Sequence, residues 1–451
     1  MNGSAPVFRR AFLRRAVLAT LLPLLPSPLL AGEPTTVILR LQGSNTINAN
    51  LGPRLVAALL AERGYRDPQV IPATVMDEWQ LVARAPNGSA VAIQIAAHGS
   101  STGFNALAAG TTDLAAASRP IKDNEVSALA NLGDMGSKDA EYVIGLDGLA
   151  IIVHPANPLR ELDLQQLAQV FAGDVTDWQQ LGGPSGPIRI YARDDRSGTY
   201  DTFRELVLNP AGKRLSAAAK RFESNEELAQ QVAADPGGIG FTSLAAAAKA
   251  PKLALRDGEG RAIAPSEASI ATEDYPLARR LFLYGSPAQR SDWARSLLEF
   301  SQTPAGQAVV QQSGFVAQRI EPLTISDTRG MPPAYLELAR RAQRLTVNFR
   351  FTAGSARLDN KALRDVERLA AFMRQPENAQ RQLILVGFND ATEDPARAAL
   401  LARLRATAVA TALRHQQAFA GELLSLGDQL PVAGLSANGR VKNRRVEAWI
   451  Q

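Results

Sequence analysis

The chain of 451 residues contains no cysteine. That excludes disulfides, thiolate metal sites and lipid attachment through an N-terminal Cys. Histidine is nearly as scarce: His98, His154 and His415 are the only three, so no imidazole metal centre can be assembled from them. Beyond residue 32 no apolar run is long enough to span a membrane. Excess charge is missing too. The formal net charge is +5, but Arg9, Arg10, Arg14 and Arg15 stand in residues 1–32, where there is no acid, and the remainder carries only +1. A nucleic-acid role therefore has no electrostatic support.

What is present is length, and at 451 residues the chain is too long for a single core and implies two or three domains. Residues 1–32 read as an export signal. A basic start precedes an apolar run from Ala16 to Leu30, broken by Pro23, Pro26 and Pro28, and a small-residue exit at Ala31-Gly32. The run is too short and too rich in proline for a spanning helix. Arg9-Arg10-Ala11-Phe12-Leu13-Arg14 resembles the twin-arginine export motif, and ordinary secretion fits equally well. Either route leads to the periplasm.

Downstream, three turns rich in Ser, Thr and Gly stand between a strand pattern and a helix pattern. Thr36–Leu41 leads into Gly43-Ser44-Asn45-Thr46-Ile47 and a helix over 51–62; Val91–Ile95 leads into Gly99-Ser100-Ser101-Thr102-Gly103. The third is Arg193-Asp194-Asp195-Arg196-Ser197-Gly198-Thr199, after Ile188–Tyr191. Hydroxyls at Ser197 and Thr199, close backbone approach at Gly198 and unpaired N–H groups of a helix start suit an anion, and Arg193 adds charge. Asp195 repels an anion unless it accepts a proton that the ligand carries, so a protonated tetrahedral oxyanion satisfies the whole set. In open α/β sheets such loops converge on one crevice.

On these residues residues 36 to about 320 resemble the periplasmic phosphate-binding protein family, the solute receptors of ABC importers. The matching runs include GSNTI at 43–47, GSSTGFNALAAGTTDLAAASRPI at 99–121, IGLDGLAIIVHPANP at 144–158, RDDRSGTYDTF at 193–203 and TPAGQAVVQQSGFV at 303–316. The resemblance implies an α/β fold with two lobes that close on the ligand. It also implies phosphate contacts at Thr46, Ile47, Ser100, Ser101, Arg193, Asp195, Ser197, Gly198 and Thr199. Family members carry an Asp after the Ser that aligns with Ser118, as acceptor for the proton of hydrogen phosphate; here that position is Arg119, counted among the candidate ligands. Losing an acceptor and gaining a cation loosens discrimination against sulfate, and Asp195 is left as the proton acceptor.

Residues 321–344, with Pro322, Gly330, Pro332 and Pro333, read as a linker ending in a short helix. The rhythm then changes: strands at 345–351, 382–388 and 445–450 alternate with helices at 359–374 and 395–414, a small βαβαβ α/β sandwich. This segment resembles the OmpA-like peptidoglycan-binding domain through VNFRFTAGSARLD at 347–359, VGFND at 386–390, LARLRATAV at 401–409 and NRRVEAWI at 443–450. The resemblance implies that Asp390 and Arg405 hold the diaminopimelate of the wall peptide, a carboxylate for its ammonium and a guanidinium for its carboxylate. Asn389, Ala398 and Ala402 replace the family's usual Thr, Asn and Ser.

The expected organisation is thus a signal at 1–32, a bilobed receptor at 33–320, a linker at 321–344 and an OmpA-like domain at 345–451. The expected function is capture of phosphate without catalysis, cofactor or metal, by a receptor tethered to peptidoglycan and possibly the outer membrane. Membrane subunits of an ABC importer are a further partner class. Two other classes compete. A structural or adhesive envelope protein with a degenerate receptor is one, against which the intact third loop argues. A serine hydrolase is the other, because Gly99–Gly103 satisfies G-x-S-x-G; its triad needs a later Asp and His, and His154 and His415 are poorly placed.

Overall fold

The computed structural model describes residues 35–451 except 196, 248, 289, 326–329, 352–354 and 393. The export signal expected at 1–32 lies outside the described residues. Among these residues no helix is long and apolar enough to cross a membrane.

One ten-stranded sheet runs through both lobes. From one edge its strands are Arg66–Pro72, Glu78–Arg84, Ala90–Ala97, Thr36–Gly43, Leu114–Ala117, Ala278–Gly285, Glu141–Val153, Gly238–Ser243, Arg189–Arg193 and Lys220–Phe222. Glu141–Val153 is the element that makes two lobes out of one sheet. Its sequence, EYVIGLDGLAIIV, is an almost unbroken apolar run, as a strand covered on both faces requires, and it is buried from Val143 onward. Its first part, to Gly148, pairs with Ala278–Tyr284 in the first lobe. Its last five residues, Leu149 to Val153, pair with Gly238–Ser243 in the second. A register shift at Leu281/Phe282, which face Gly145 and Val143, bends the ladder within the first of these pairings. Each lobe has its own core, built around Leu41, Ile93 and Leu297 in the first and around Phe171, Phe203 and Phe241 in the second.

The C-terminal part is a five-stranded sheet in the order Pro322–Leu323, Gln343–Arg350, Arg445–Ile450, Leu383–Gly387, Ala420–Ser425. Helices Asn360–Met373 and Pro395–His415 follow the expected bounds closely, and each is capped by an Asp side chain, Asp359 or Asp394. The strand Ala420–Ser425 adds to the expected βαβαβ order. The segment 321–344 is a correction. It is not a spacer: Pro322–Leu323 forms an edge strand against Arg344 and Leu345, and the helix Pro333–Arg341 buries Tyr335 and Leu338 against Phe388 and Trp449. The apolar face of that helix finds its partner on the sandwich, so the segment folds onto it.

The sandwich rests on both lobes. Asn360 Nδ2 donates to the Gly136 carbonyl at 2.8 Å and Arg364 Nη1 to that of Glu141 at 2.9 Å, on the first lobe. On the second, Arg344 bonds Asp274 at 2.7 Å, Arg350 bonds the Thr272 carbonyl at 3.0 Å, and Lys442 Nζ reaches the Tyr275 carbonyl at 3.0 Å.

Candidate functional site

The carboxyl ends of the first lobe's strands meet at one point. Ser44 N–H donates to the Ala116 carbonyl at 2.9 Å and Gly99 N–H to the Gly43 carbonyl at 2.9 Å, which draws the first two polar loops together. Gly43 has φ +133°, and a Cβ there would lie 2.1 Å from the Ala116 carbonyl oxygen, so only glycine lets these strands approach.

The third loop comes from the second lobe and touches the first. A Cβ on Gly198 would stand 2.5 Å from Thr46 Oγ1 and 2.8 Å from the Thr46 nitrogen. Thr46 Oγ1 donates to the Gly198 carbonyl at 3.3 Å. Between the lobes lies a cleft of about 690 Å³, to which Thr46, Arg193, Ser197, Gly198 and Thr199 all contribute. Ser197 caps the helix Gly198–Phe203, its Oγ accepting from the N–H groups of Thr199 (3.2 Å) and Tyr200 (3.4 Å). With those acceptor positions used, its O–H remains available to donate outward.

Arg193 is largely buried. Its Nε and Nη2 are held by the carbonyls of Phe222 (3.1 Å) and Glu223 (2.6 Å), which fix the guanidinium beside the cleft. Burial pulls its pKa down, against the pull of Asp194. Carboxylates line the cleft as well: Asp77, Asp147, Asp194, Glu223 and Glu226. Among the described residues Arg193 is the one Lys or Arg that lines the cleft, and five carboxylates stand with it.

Several sequence-predicted ligands stand elsewhere. Ile47 is wholly buried in the first lobe's core. Ser100 Oγ accepts from the Ser118 N–H at 3.1 Å and does not line the cleft. Arg119 is not a cleft cation: Glu125 grips it through both nitrogens, at 2.8 and 2.7 Å, and Ser101 Oγ takes a third bond at 2.8 Å. Arg119 and Glu125 cancel each other's charge. Asp195 faces solvent, with its side chain 86% exposed, and pairs with Arg221 at 2.5 Å. The Ser of G-x-S-x-G, Ser101, is thus engaged by Arg119, while His98 Nε2 lies 3.0 Å from Glu78 Oε1. Asp147 and Arg279 carried no sequence signal; both are buried, Asp147 in the cleft wall and Arg279 behind it, bonded to Thr46.

In the sandwich, Asp390 and Arg405 are both buried. They do not pair with each other. Asp390 accepts from Arg444 at 2.7 and 2.9 Å and from Arg440 at 2.9 Å. Burial raises its pKa, but those guanidiniums more than reverse that and hold it below the ordinary carboxylate range. Arg405 donates to Asn389 Oδ1, and its Nε is buried without a partner among the described residues. Burial first, then repulsion from Arg444, pulls its pKa down to about 10. Asn389, the residue in place of the family's Thr, is therefore what orients Arg405.

Comparison with known proteins assigns both parts. A family model described as a PBP superfamily domain matches residues 72–304, and one described as the OmpA family matches residues 350–445. Protein SphX of Synechococcus elongatus is 33% identical over 271 residues, which is 57% of this chain and 77% of that protein. Phosphate-binding protein PstS of Pseudomonas aeruginosa is 30% identical over 243 residues, 50% of this chain and 74% of that one. Among solved structures, an ABC-type phosphate transport receptor from Vibrio cholerae matches with a TM-score of 0.48 at 20% identity, over 62% of this chain and 99% of its own. A peptidoglycan-associated lipoprotein from Burkholderia pseudomallei matches with a TM-score of 0.22 at 23% identity, over 23% of this chain and 89% of its own.

Proposed function

Since the chain belongs to the PBP superfamily, in the family of the phosphate-binding proteins, and carries an OmpA-family domain, we propose that it is an exported phosphate receptor held at the cell wall. The observation that carries this reading is the meeting of Thr46 from one lobe with Arg193, Ser197, Gly198 and Thr199 from the other across a single cleft at the hinge. Hydroxyl donors and a fixed guanidinium replace the hydration shell of a small oxyanion, and closure of the lobes completes the shell. No bond is made or broken, so the role is capture and not catalysis.

The proposed boundaries are a receptor at 33–320 and a wall module at 345–451, with 321–344 packed on the latter. In the wall module, Arg405 is the better-prepared half of the site. Its buried, incompletely paired guanidinium suits the carboxylate of diaminopimelate, whereas Asp390 has two arginines to surrender before it takes an ammonium. A tether of this kind keeps capture at a fixed depth in the periplasm. That arrangement suits scavenging or sensing, and it serves an ABC importer only if the membrane subunits lie within reach.

Equilibrium dialysis of the ligand-stripped chain against labelled phosphate tests the receptor half. Saturable one-to-one binding is expected, weakened roughly tenfold or more by Ser197→Ala, the worth of one hydrogen bond to a charged ligand. No saturable binding by the folded wild type sinks the proposal.

A further inference from the structure

Hydrogen phosphate and sulfate have the same shape and charge and differ by one proton, so a site tells them apart by an acceptor that only the first can satisfy. Asp195, the acceptor expected from sequence, faces solvent. A different carboxylate stands in the cleft. Asp147 lies on Glu141–Val153, next to the point where that strand passes from one lobe to the other, and it is 6% exposed. Its Oδ2 accepts from Arg279 Nε at 3.2 Å and from Thr202 Oγ1 at 3.4 Å. Its Oδ1 has no hydrogen bond among the described residues, and Asp147 forms part of the cleft wall.

Arg279 sits directly opposite Asp147 in the antiparallel ladder. Its Nη2 donates to Thr46 Oγ1 at 2.7 Å and to the Gly198 carbonyl at 3.2 Å. One buried guanidinium therefore joins Asp147 to the residues at which the two lobes touch. It also answers the electrostatic objection. Arg279 also donates through Nη1 to Glu205 at 3.3 Å, but Glu205 is the more exposed partner, and a carboxylate paired with a buried guanidinium presents an acceptor oxygen to a dianion at less cost than a lone one.

We propose that Asp147, paired with Arg279, is the residue that selects a protonated tetrahedral oxyanion over sulfate. The P–OH of hydrogen phosphate donates to Oδ1, whereas sulfate sets lone pairs against lone pairs there.

This inference rests on the phosphate-receptor reading, and the test separates the two. Calorimetric titrations with phosphate and with sulfate are run on the full chain and on Asp147→Asn, Asp147→Glu and Asp195→Asn. The wild type should prefer phosphate, and Asp147→Asn should shift the phosphate-to-sulfate ratio toward sulfate by roughly ten- to a hundredfold, the worth of one buried acceptor left unpaired. Asp147→Glu keeps the charge and covers a fold defect in the amide variant; it should weaken phosphate binding while sulfate stays excluded. A selective wild type whose ratio is unmoved in Asp147→Asn, or inverted by Asp195→Asn instead, overturns the assignment of Asp147 alone. Unchanged phosphate affinity in Asp147→Glu does the same. A folded wild type that binds neither anion overturns the receptor reading and this inference with it.

Discussion

Replacing Asp274 by Ala removes one of the buried groups through which the second lobe holds the sandwich. Asp274 is buried in the turn before the strand Ala278–Gly285. It accepts from Arg344 at 2.7 Å, from Asn348 at 2.9 Å and from Arg350 at 3.3 Å. Burial raises its pKa, yet Arg344, Arg445 and Arg350 together outweigh burial and hold it at about 2. Its contribution to stability is therefore complete above the unfolded value of about 4 and is lost as the pH falls toward 2. The fall from an ordinary carboxylate is worth ~2.5 kcal/mol. Mutation leaves Arg344 with Glu447 and Arg350 with the Thr272 carbonyl, so the cost falls at the low end of the range for broken buried pairs, ~3 kcal/mol. Urea unfolding followed by tryptophan fluorescence reads both lobes and the sandwich, through Trp79, Trp178, Trp293 and Trp449. Asp274→Ala should lose ~3 kcal/mol at neutral pH, and the deficit should shrink below about pH 3. A loss under about 0.5 kcal/mol, or a deficit that does not change with pH, would refute the reasoning.

Two further outcomes follow from close contacts. Gly198→Ala drives a methyl into the backbone of Thr46 and should part the loops, lowering phosphate affinity roughly tenfold or more with little change in melting temperature; unaltered affinity in a titration would show that the loops need not touch. Tyr335→Ala removes a ring 5.2 Å from that of Trp449 and a hydroxyl that donates to Glu447 at 2.9 Å, and should cost ~3–5 kcal/mol in urea unfolding. A free linker at 321–344 would make the same change nearly silent.

The sequence showed most where burial imposes a pattern. Glu141–Val153 and Leu383–Gly387 are apolar because both faces are covered, and Asp359 marks the start of a helix whose inward side is periodic. Arg66–Pro72 was invisible for the converse reason, since every residue in it is exposed and no periodicity records its pairing. The third loop was legible because its hydroxyls and glycine are contiguous. Asp147 was not: it is one acid in an apolar run, and its meaning comes from Arg279, which stands 132 residues further on. Arg119 misled because charge was counted without its partner, Glu125, six residues away in the next helix. For Asp195, proximity in sequence to Ser197 did not determine on which side of the turn the carboxylate emerges.

Co-sedimentation of the full chain with diaminopimelate-type peptidoglycan in labelled phosphate tests both halves of the function together. The account predicts that protein and phosphate reach the pellet in equal amounts, that Arg405→Ala leaves both in the supernatant, and that Ser197→Ala lets the protein sediment with less phosphate. Wild-type protein that sediments without phosphate, or that binds phosphate and ignores the wall, would contradict it.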